Sequence, residues 1–289
     1  MQKITASFFI LLASVSYGFL SIFAKLAYDE GVEPLMLSVS QMFFGVLFFT
    51  VLKIHKLGSF FRIDKKSLLL LFLIGSLSAL TALFYYASLS LVSASVGIIL
   101  LFQFVWIGMV LELIKQKRLP NLREIFSILL CYLGTYLSIG VGADFMAISF
   151  GGLILGLAAA FAFAGYIYTT SVFCLSHGAD IKTFWTILFA FLSISVFWLF
   201  SDANLNIQTL KWGAICGIFG VVLPFYLYAR FAKEIGSAAT SIIGSAELPS
   251  VLIFSVLFLN EHLSFYSVFG SILVLSAVGI VFMGAAKAK

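Results

Sequence analysis

Runs of apolar residues, broken by short clusters of charge, glycine, proline and serine, repeat along the whole chain at 4–27, 35–53, 67–89, 94–114, 124–140, 151–174, 182–200, 210–232, 237–259 and 263–285. A membrane-spanning strand alternates over about 10 residues, whereas a helix needs roughly 20 continuous apolar positions to cross about 30 Å of hydrocarbon. Only helices and closed barrels satisfy every backbone polar group in lipid. The pattern therefore predicts an all-α integral membrane protein of ten transmembrane helices, with connections too short for a soluble domain. The first run is too long for a signal-peptide core and ends without a small-residue cleavage pattern, so it is expected to be retained.

Composition agrees with this pattern. Of 289 residues, 62% are hydrophobic and 10% charged, and mean hydropathy is +1.15. A water-soluble domain of this size cannot hide so much apolar surface. The net charge of +5 does not point to nucleic acid, because the basic residues sit in short loops between apolar spans, where they act as an orientation signal. Lys53, Lys56, Arg62, Lys65 and Lys66 occupy the second connection, Lys115, Lys117, Arg118 and Arg123 the fourth, and Lys287 and Lys289 the C-terminus. These ends are expected to face the cytoplasm. The first connection has Asp29, Glu30 and Glu33, the fifth Asp144, and the seventh Asp202 with only Lys211, so these are expected outside. Both termini are then cytoplasmic, in a multi-pass protein of a bacterial inner membrane. Trp198 and Trp212 flank the seventh connection as expected interfacial anchors. Cys131, Cys174 and Cys216 fall in apolar runs and His55, His177 and His262 in polar connections, so neither a disulfide framework nor a metal site is expected.

An internal repeat emerges when the halves are slid past each other. At an offset of 144, Ser93-Ala94 falls on Ser237-Ala238, Gln103 on Glu247, Leu119 on Leu263 and Tyr86 on Arg230. At an offset of 147, Gly18, Gly31 and Glu33 fall on Gly165, Gly178 and Asp180. Two five-helix repeats, 1–144 and 145–289, each with an odd number of spans, are inserted in opposite orientations. Such inverted repeats offer a direct route to alternating access.

Glu247 is the sharpest chemical clue, because a carboxylate near the middle of the ninth run must face the bundle interior, a partner or water. Pro249 removes a helical donor two residues later and is expected to leave the Ser245 carbonyl free beside it. A protonated glutamate bonded to a neighbouring helix is the alternative role. Gln103, the counterpart of Glu247, offers a donor and an acceptor to the same cavity, or an interhelical hydrogen bond. Ser14, Gly18, Ser21 and Lys25 share one face of the first helix, which allows a hydrated path to Lys25 or a lysine that snorkels to the headgroups. Gln41 lies deeper in the second helix. Tyr85, Tyr86, Trp106, Tyr226 and Tyr228 offer aromatic walls with polar handles, suited to a ligand with a flat body or an ammonium group. Pro224 is a second candidate kink, expected to free the Gly220 carbonyl. Arg230, Lys233 and Glu112 lie near cytoplasmic ends, where snorkelling or a salt bridge is expected. Small residues at Gly152, Gly156, Ala160 and Ala164, and at Gly270, Ala277 and Gly284, are read as packing stripes. No phosphate-binding loop, zinc-protease motif or nucleophile elbow is present, so no enzyme activity and no cofactor is expected.

Ten helices in a five-plus-five repeat, Ser237-Ala238-Ala239-Thr240 leading to Glu247-Leu248-Pro249, and Leu259-Asn260-Glu261 before the last helix together resemble an EamA-type member of the drug/metabolite transporter superfamily. The resemblance spans the whole chain. It implies that the third, fourth, eighth and ninth helices line a central cavity containing Gln103, Glu247, Tyr85, Tyr86, Tyr226 and Tyr228. The chain departs from the family in having Phe104 and Val105 where a proline is common, and Gln41 where many members have an arginine. The expected function is secondary transport of a small polar or amphipathic metabolite, an amino acid or related amine, by alternating access. Import of a nucleotide-like solute such as S-adenosylmethionine and a non-transporting scaffold or lipid-handling subunit are the alternatives. The partners implied are a small-molecule substrate and membrane lipid, with a coupling proton and a homodimer left open and no nucleic acid.

Overall fold

The computed structural model describes residues 2–89, 91–92, 94–140, 149–173, 177–201, 205–259, 262 and 264–287. Ser93, Asp144, Cys174, Asp202, Asn260, Glu261, Leu263 and Lys289 lie outside the described residues. Eight helical stretches are long and apolar enough to cross a membrane: Gln2–Asp29, Pro34–Leu52, Lys65–Ser88, Val96–Gln116, Phe150–Val172, Ala179–Leu199, Ile207–Gly244 and Phe265–Met283. The other two expected runs appear in divided form. The 38 residues of Ile207–Gly244 would measure about 57 Å as one helix, nearly twice the hydrocarbon thickness. They are broken at Gly236 (φ 82°, ψ 167°), a backbone region nearly closed to residues with a Cβ, and this break separates the eighth span from the ninth. The ninth resumes after a turn at Ser245–Ala246 as the helix Glu247–Leu259, and the fifth is the helix Leu122–Thr135 prolonged by a π-helical stretch Tyr136–Gly140.

Local chemistry sets several ends. Pro34 opens the second helix, where its missing N–H costs nothing. The Asn121 side chain accepts from the Glu124 N–H while the Glu124 carboxylate accepts from the Asn121 N–H, a reciprocal cap on the fifth. Asn206 Oδ1 accepts from the Thr209 N–H at 2.7 Å at the start of the eighth.

Many of the packing partners are unchanged when the first five spans are exchanged with the last five, the packing of the sixth span on the eighth and ninth being the main exception. The first span packs on the eighth and ninth, as the sixth does on the third and fourth. The second packs on the eighth as the seventh does on the third, while second–seventh, fourth–ninth and fifth–tenth pairs map onto themselves. The small residues act where close approach is needed. Gly152 and Gly156 lie against Leu91, Val92 and Leu100, and a Cβ on Gly134 would stand 2.5 Å from the Gly270 carbonyl oxygen. The Ser14, Gly18, Ser21 stripe is likewise a packing face rather than a hydrated path. Ser14 and Ser21 donate to Ile10 and Tyr17 carbonyls of their own helix, and a Cβ on Gly18 would stand 2.6 Å from the Ser250 Cβ.

At the end of the bundle rich in Lys and Arg, here the basic end, Lys53 and Lys56 join the second span to Asp180 of the seventh at 3.1 and 2.6 Å. The hydrogen bond from Lys56 to Asp180 holds the Lys56 ammonium above the usual lysine range. Lys211 meets Glu30 at 2.8 Å at the opposite, acidic end. Exposed pairs of this kind contribute little stability. Trp212 lies at the acidic end beneath the Lys211 ammonium, 4.5 Å from its ring, but is only 7% exposed, because Ala24, Ala27, Val32 and Leu37 close over it as the first, second and eighth helices pack.

Gly31 and Gly236 both have positive φ, but a Cβ on Gly31 meets open space whereas one on Gly236 would collide with the Glu112 carboxylate. G31A is expected to cost about 1 kcal/mol of backbone strain, and G236A at least about 1 kcal/mol more because the Glu112 contacts are displaced. Parallel thermal unfolding of the two variants in detergent checks the order.

Candidate functional site

The ninth span is interrupted halfway along its length. Ser245 N–H donates to the Ser241 carbonyl at 3.2 Å, Ala246 N–H to Ile243 at 3.0 Å and Leu248 N–H to Ser245 at 3.1 Å, so the helix tightens to i→i+3 bonds before resuming at Glu247. The Ser245 carbonyl expected to be free is thus taken by Leu248. Pro249 falls in the first turn of the new helix, where proline is tolerated. The fourth span breaks in the same way, with a turn at Phe102–Gln103 between Ala94–Leu101 and Phe104–Gln116. At the offset of 144 that pairs Gln103 with Glu247 the two breaks fall within one residue of each other, and the fourth breaks without a proline. Irregular backbone at membrane depth is tolerated only inside protein or along a cavity, so matched breaks in two repeats point to a binding region.

Glu247 occupies the start of that half-helix, and the hydroxyls of Tyr17, Tyr85 and Tyr228 lie close enough to feel its carboxyl charge. Tyr17 packs beside Tyr228 with ring centroids 6.3 Å apart, and Tyr228 beside Tyr166 at 6.0 Å. Phe163 bridges Phe104 at 4.8 Å and Tyr166 at 6.1 Å. These rings come from the first, fourth, sixth and eighth spans. Pro224 contributes through the π-helical stretch Gly217–Val222 that precedes it, which resets the register of the eighth span before Tyr228.

Glu247, Tyr17, Tyr85 and Tyr86 are only partly buried, although they lie within the spans. We read this accessible surface at membrane depth as a hollow beside Glu247. Tyr85 and Tyr86 lie within the last turn and a half of the third span, and Tyr86 stands beside Tyr28 and Ser38, toward the acidic end. Toward the basic end the rings are sealed, Tyr166 at 1% and Tyr228 at 0% exposure. Glu112 completes that closure. Its carboxylate accepts from Ser237 Oγ at 2.6 Å and from the Ala238 N–H at 3.0 Å, capping the start of the ninth span, where a negative charge meets the helix dipole. The partly exposed Tyr85 and Tyr86 thus lie on the acidic-end side of the sealed rings.

The other candidates are dispersed. Gln103 donates to the Ile99 carbonyl at 3.0 Å and accepts from Tyr132 Oη and Trp106 Nε1, both at 3.0 Å, so its amide faces the fifth span rather than Glu247. Trp106 is 36% exposed on the bundle exterior. Tyr226 lies toward the basic end, with Phe49 at 6.3 Å and the Lys53 ammonium 5.3 Å above its ring. Gln41 is buried beside Gly217, with its Oε1 unpartnered among the described residues. Lys25 is exposed near the acidic end. Tyr17 and Tyr28 escaped the sequence reading, although they share a face three helical turns apart, one position from the small-residue stripe.

Because the Gln103 amide is occupied by partners outside the hollow, Q103L is expected to lower stability by about 1 kcal/mol while ligand affinity stays within about twofold. Unfolding and ligand-binding measurements on the same preparation separate the two effects.

Comparison with known proteins converges on one family. The description of the EamA-like transporter family matches residues 4–140 and again 150–283. The uncharacterized inner membrane transporter YicL of Salmonella typhimurium is 24% identical over 285 residues, which span 94% of this chain and 93% of that protein. One solved crystal structure superposes with a TM-score of 0.80 over 99% of this chain and 100% of its own, at 14% identity, a likeness of fold alone. With its broken helices, its repeated packing and a match over both halves, the chain belongs to the EamA-like transporter family and is a multi-pass membrane transporter.

Proposed function

We propose that the protein is a secondary transporter of the inner membrane that moves a small polar or amphipathic metabolite, an amino acid or related amine, by alternating access. The supporting observation is the Glu247 carboxyl at a helix break in the middle of the bundle, ringed by Tyr17, Tyr85 and Tyr228 and bordering a hollow. Tyrosine faces attract an ammonium group, and the carboxylate supplies its counter-charge, either for the substrate or for a coupling proton. Repeats 1–144 and 145–289 exchange conformations about the central site in this reading, and both termini are cytoplasmic. In this reading the cytoplasmic face is the closed one, held by the hydrogen bonds from Ser237 and Ala238 of the ninth helix to Glu112 of the fourth.

Flux of amino acids and simple amines into proteoliposomes is the test. E247Q keeps the shape and removes the charge, and is expected to reduce uptake at least tenfold, or about 1.4 kcal/mol, and to flatten its pH dependence. Undiminished, equally pH-dependent transport removes Glu247 from the mechanism. Inhibition by adenine compounds but not by amines would reassign the site to a nucleotide-like solute such as S-adenosylmethionine.

A further inference from the structure

At the basic end, away from the central hollow, Lys3, Asn121 and Arg123 rim a pocket of about 350 Å³ that is also lined by Ser7 and Ser127. Both serine hydroxyls are buried, and neither has a hydrogen-bond partner among the described residues. An unpartnered buried hydroxyl is costly, so a ligand presenting acceptor oxygens there is favoured. Glu124 also lines the pocket, but it is held by the Arg118 guanidinium and the Asn121 N–H. Lys3 and Arg123 have no carboxylate partner among the described residues. The pocket thus offers two uncompensated positive charges and two orphan hydroxyls.

Arg123 and Ile280 also belong to a second, open groove of about 540 Å³, formed with Leu122, Ile125, Phe126, Leu129 and Met283 of the fifth and tenth spans. Its side chains stand on the bundle exterior, Leu122 at 85% and Met283 at 60% exposure. From Leu122 to Leu129 the groove follows about two helical turns, roughly 10 Å, from the start of the helix toward the bilayer centre. A polar, positively charged pocket at the membrane surface leads into an apolar groove, the order in which a phospholipid presents its headgroup and acyl chain.

We infer that this pocket and groove bind an anionic phospholipid of the leaflet at the basic end, with its phosphate between Lys3 and Arg123 and an acyl chain along Phe126 and Leu129. Basic pockets between helices on the cytoplasmic side select anionic headgroups in this way. A second copy of the chain fits less well: a two-fold contact on this face would set Arg123 and Lys3 of both copies against each other with no free carboxylate between them. The site is independent of the transport assignment and of Glu247; only the name of the leaflet rests on the cytoplasmic reading of the basic end.

Native mass spectrometry of the purified full chain, titrated with phosphatidylglycerol or phosphatidylcholine, tests the site. Phosphatidylglycerol is expected to bind on the order of thirtyfold more tightly. K3Q/R123Q, which alters only exposed side chains, should abolish that preference at an unchanged unfolding temperature. K65Q/K66Q removes the same charge from another basic-end connection and should retain it, as should E247Q even if it transports nothing. Equal binding of the two lipids by the unaltered chain, or equal loss in both lysine-bearing double variants, overturns the proposal. So does saturation by inorganic phosphate with no gain from acyl chains, or a dimer cross-linked through Leu129→Cys that excludes lipid.

Discussion

In hydrocarbon there is no water to receive a backbone N–H or C=O that a helix leaves free, and each unpaired group costs several kcal/mol. A chain that must cross such a medium repeatedly is pushed toward unbroken helices. Every departure from them therefore has to be enclosed by protein. This chain breaks its fourth and ninth spans at matched positions, inserts π-helical turns in the fifth and eighth, and uses Gly236 to separate two spans. The freed backbone is absorbed by i→i+3 bonds at Ser245 and Ala246 and by the Glu112 carboxylate at Ala238. The middle of the bundle is consequently the place where a carboxyl group, tyrosine hydroxyls and irregular backbone can coexist.

The two repeats share architecture but not chemistry. At the matched breaks, one half carries Gln103 and the other Glu247. The neutral amide is satisfied by Tyr132 and Trp106 on the outer side of the fourth span, a stabilising interhelical tie. The acid remains with the hollow. Much of the packing is therefore shared by the two halves, while the charged group beside the breaks belongs to the second half alone.

Closure at one end has an identifiable chemistry. Glu112, expected to snorkel or pair with a surface lysine, instead caps the ninth helix, and its two hydrogen bonds join the fourth span to the ninth at the point where Gly236 turns the chain. Charge-assisted hydrogen bonds of this kind are about twice as strong as neutral ones. Opening that face would require the ninth helix to give up its cap. The salt bridges of Asp180 and Glu30 at the bundle ends are solvent-exposed and contribute far less.

Lipid as solvent explains which parts were legible in the sequence. Continuous apolar runs, the basic and acidic connections, the offset of 144 and the acid at Glu247 are all one-dimensional signals, since a bilayer imposes length, hydropathy and charge directly on the chain. Where each side chain points is a different matter. Helical periodicity cannot tell a face turned to lipid from one turned to a neighbouring helix when both are apolar, so Gln103, Trp106 and Tyr226 share a pattern with Glu247 although they point elsewhere, and Trp212, near the acidic end, is buried against neighbouring helices. Tyr17 and the Glu112 cap came together only when helices far apart in the chain were packed, because their partners lie more than 100 residues away on the other repeat, and Tyr28 met Tyr86 of the third span in the same way. Sequence by itself determined that the chain crosses the membrane as two related halves with an acid at the centre; the packing of those halves alone decided which groups surround that acid and which end of the bundle is closed.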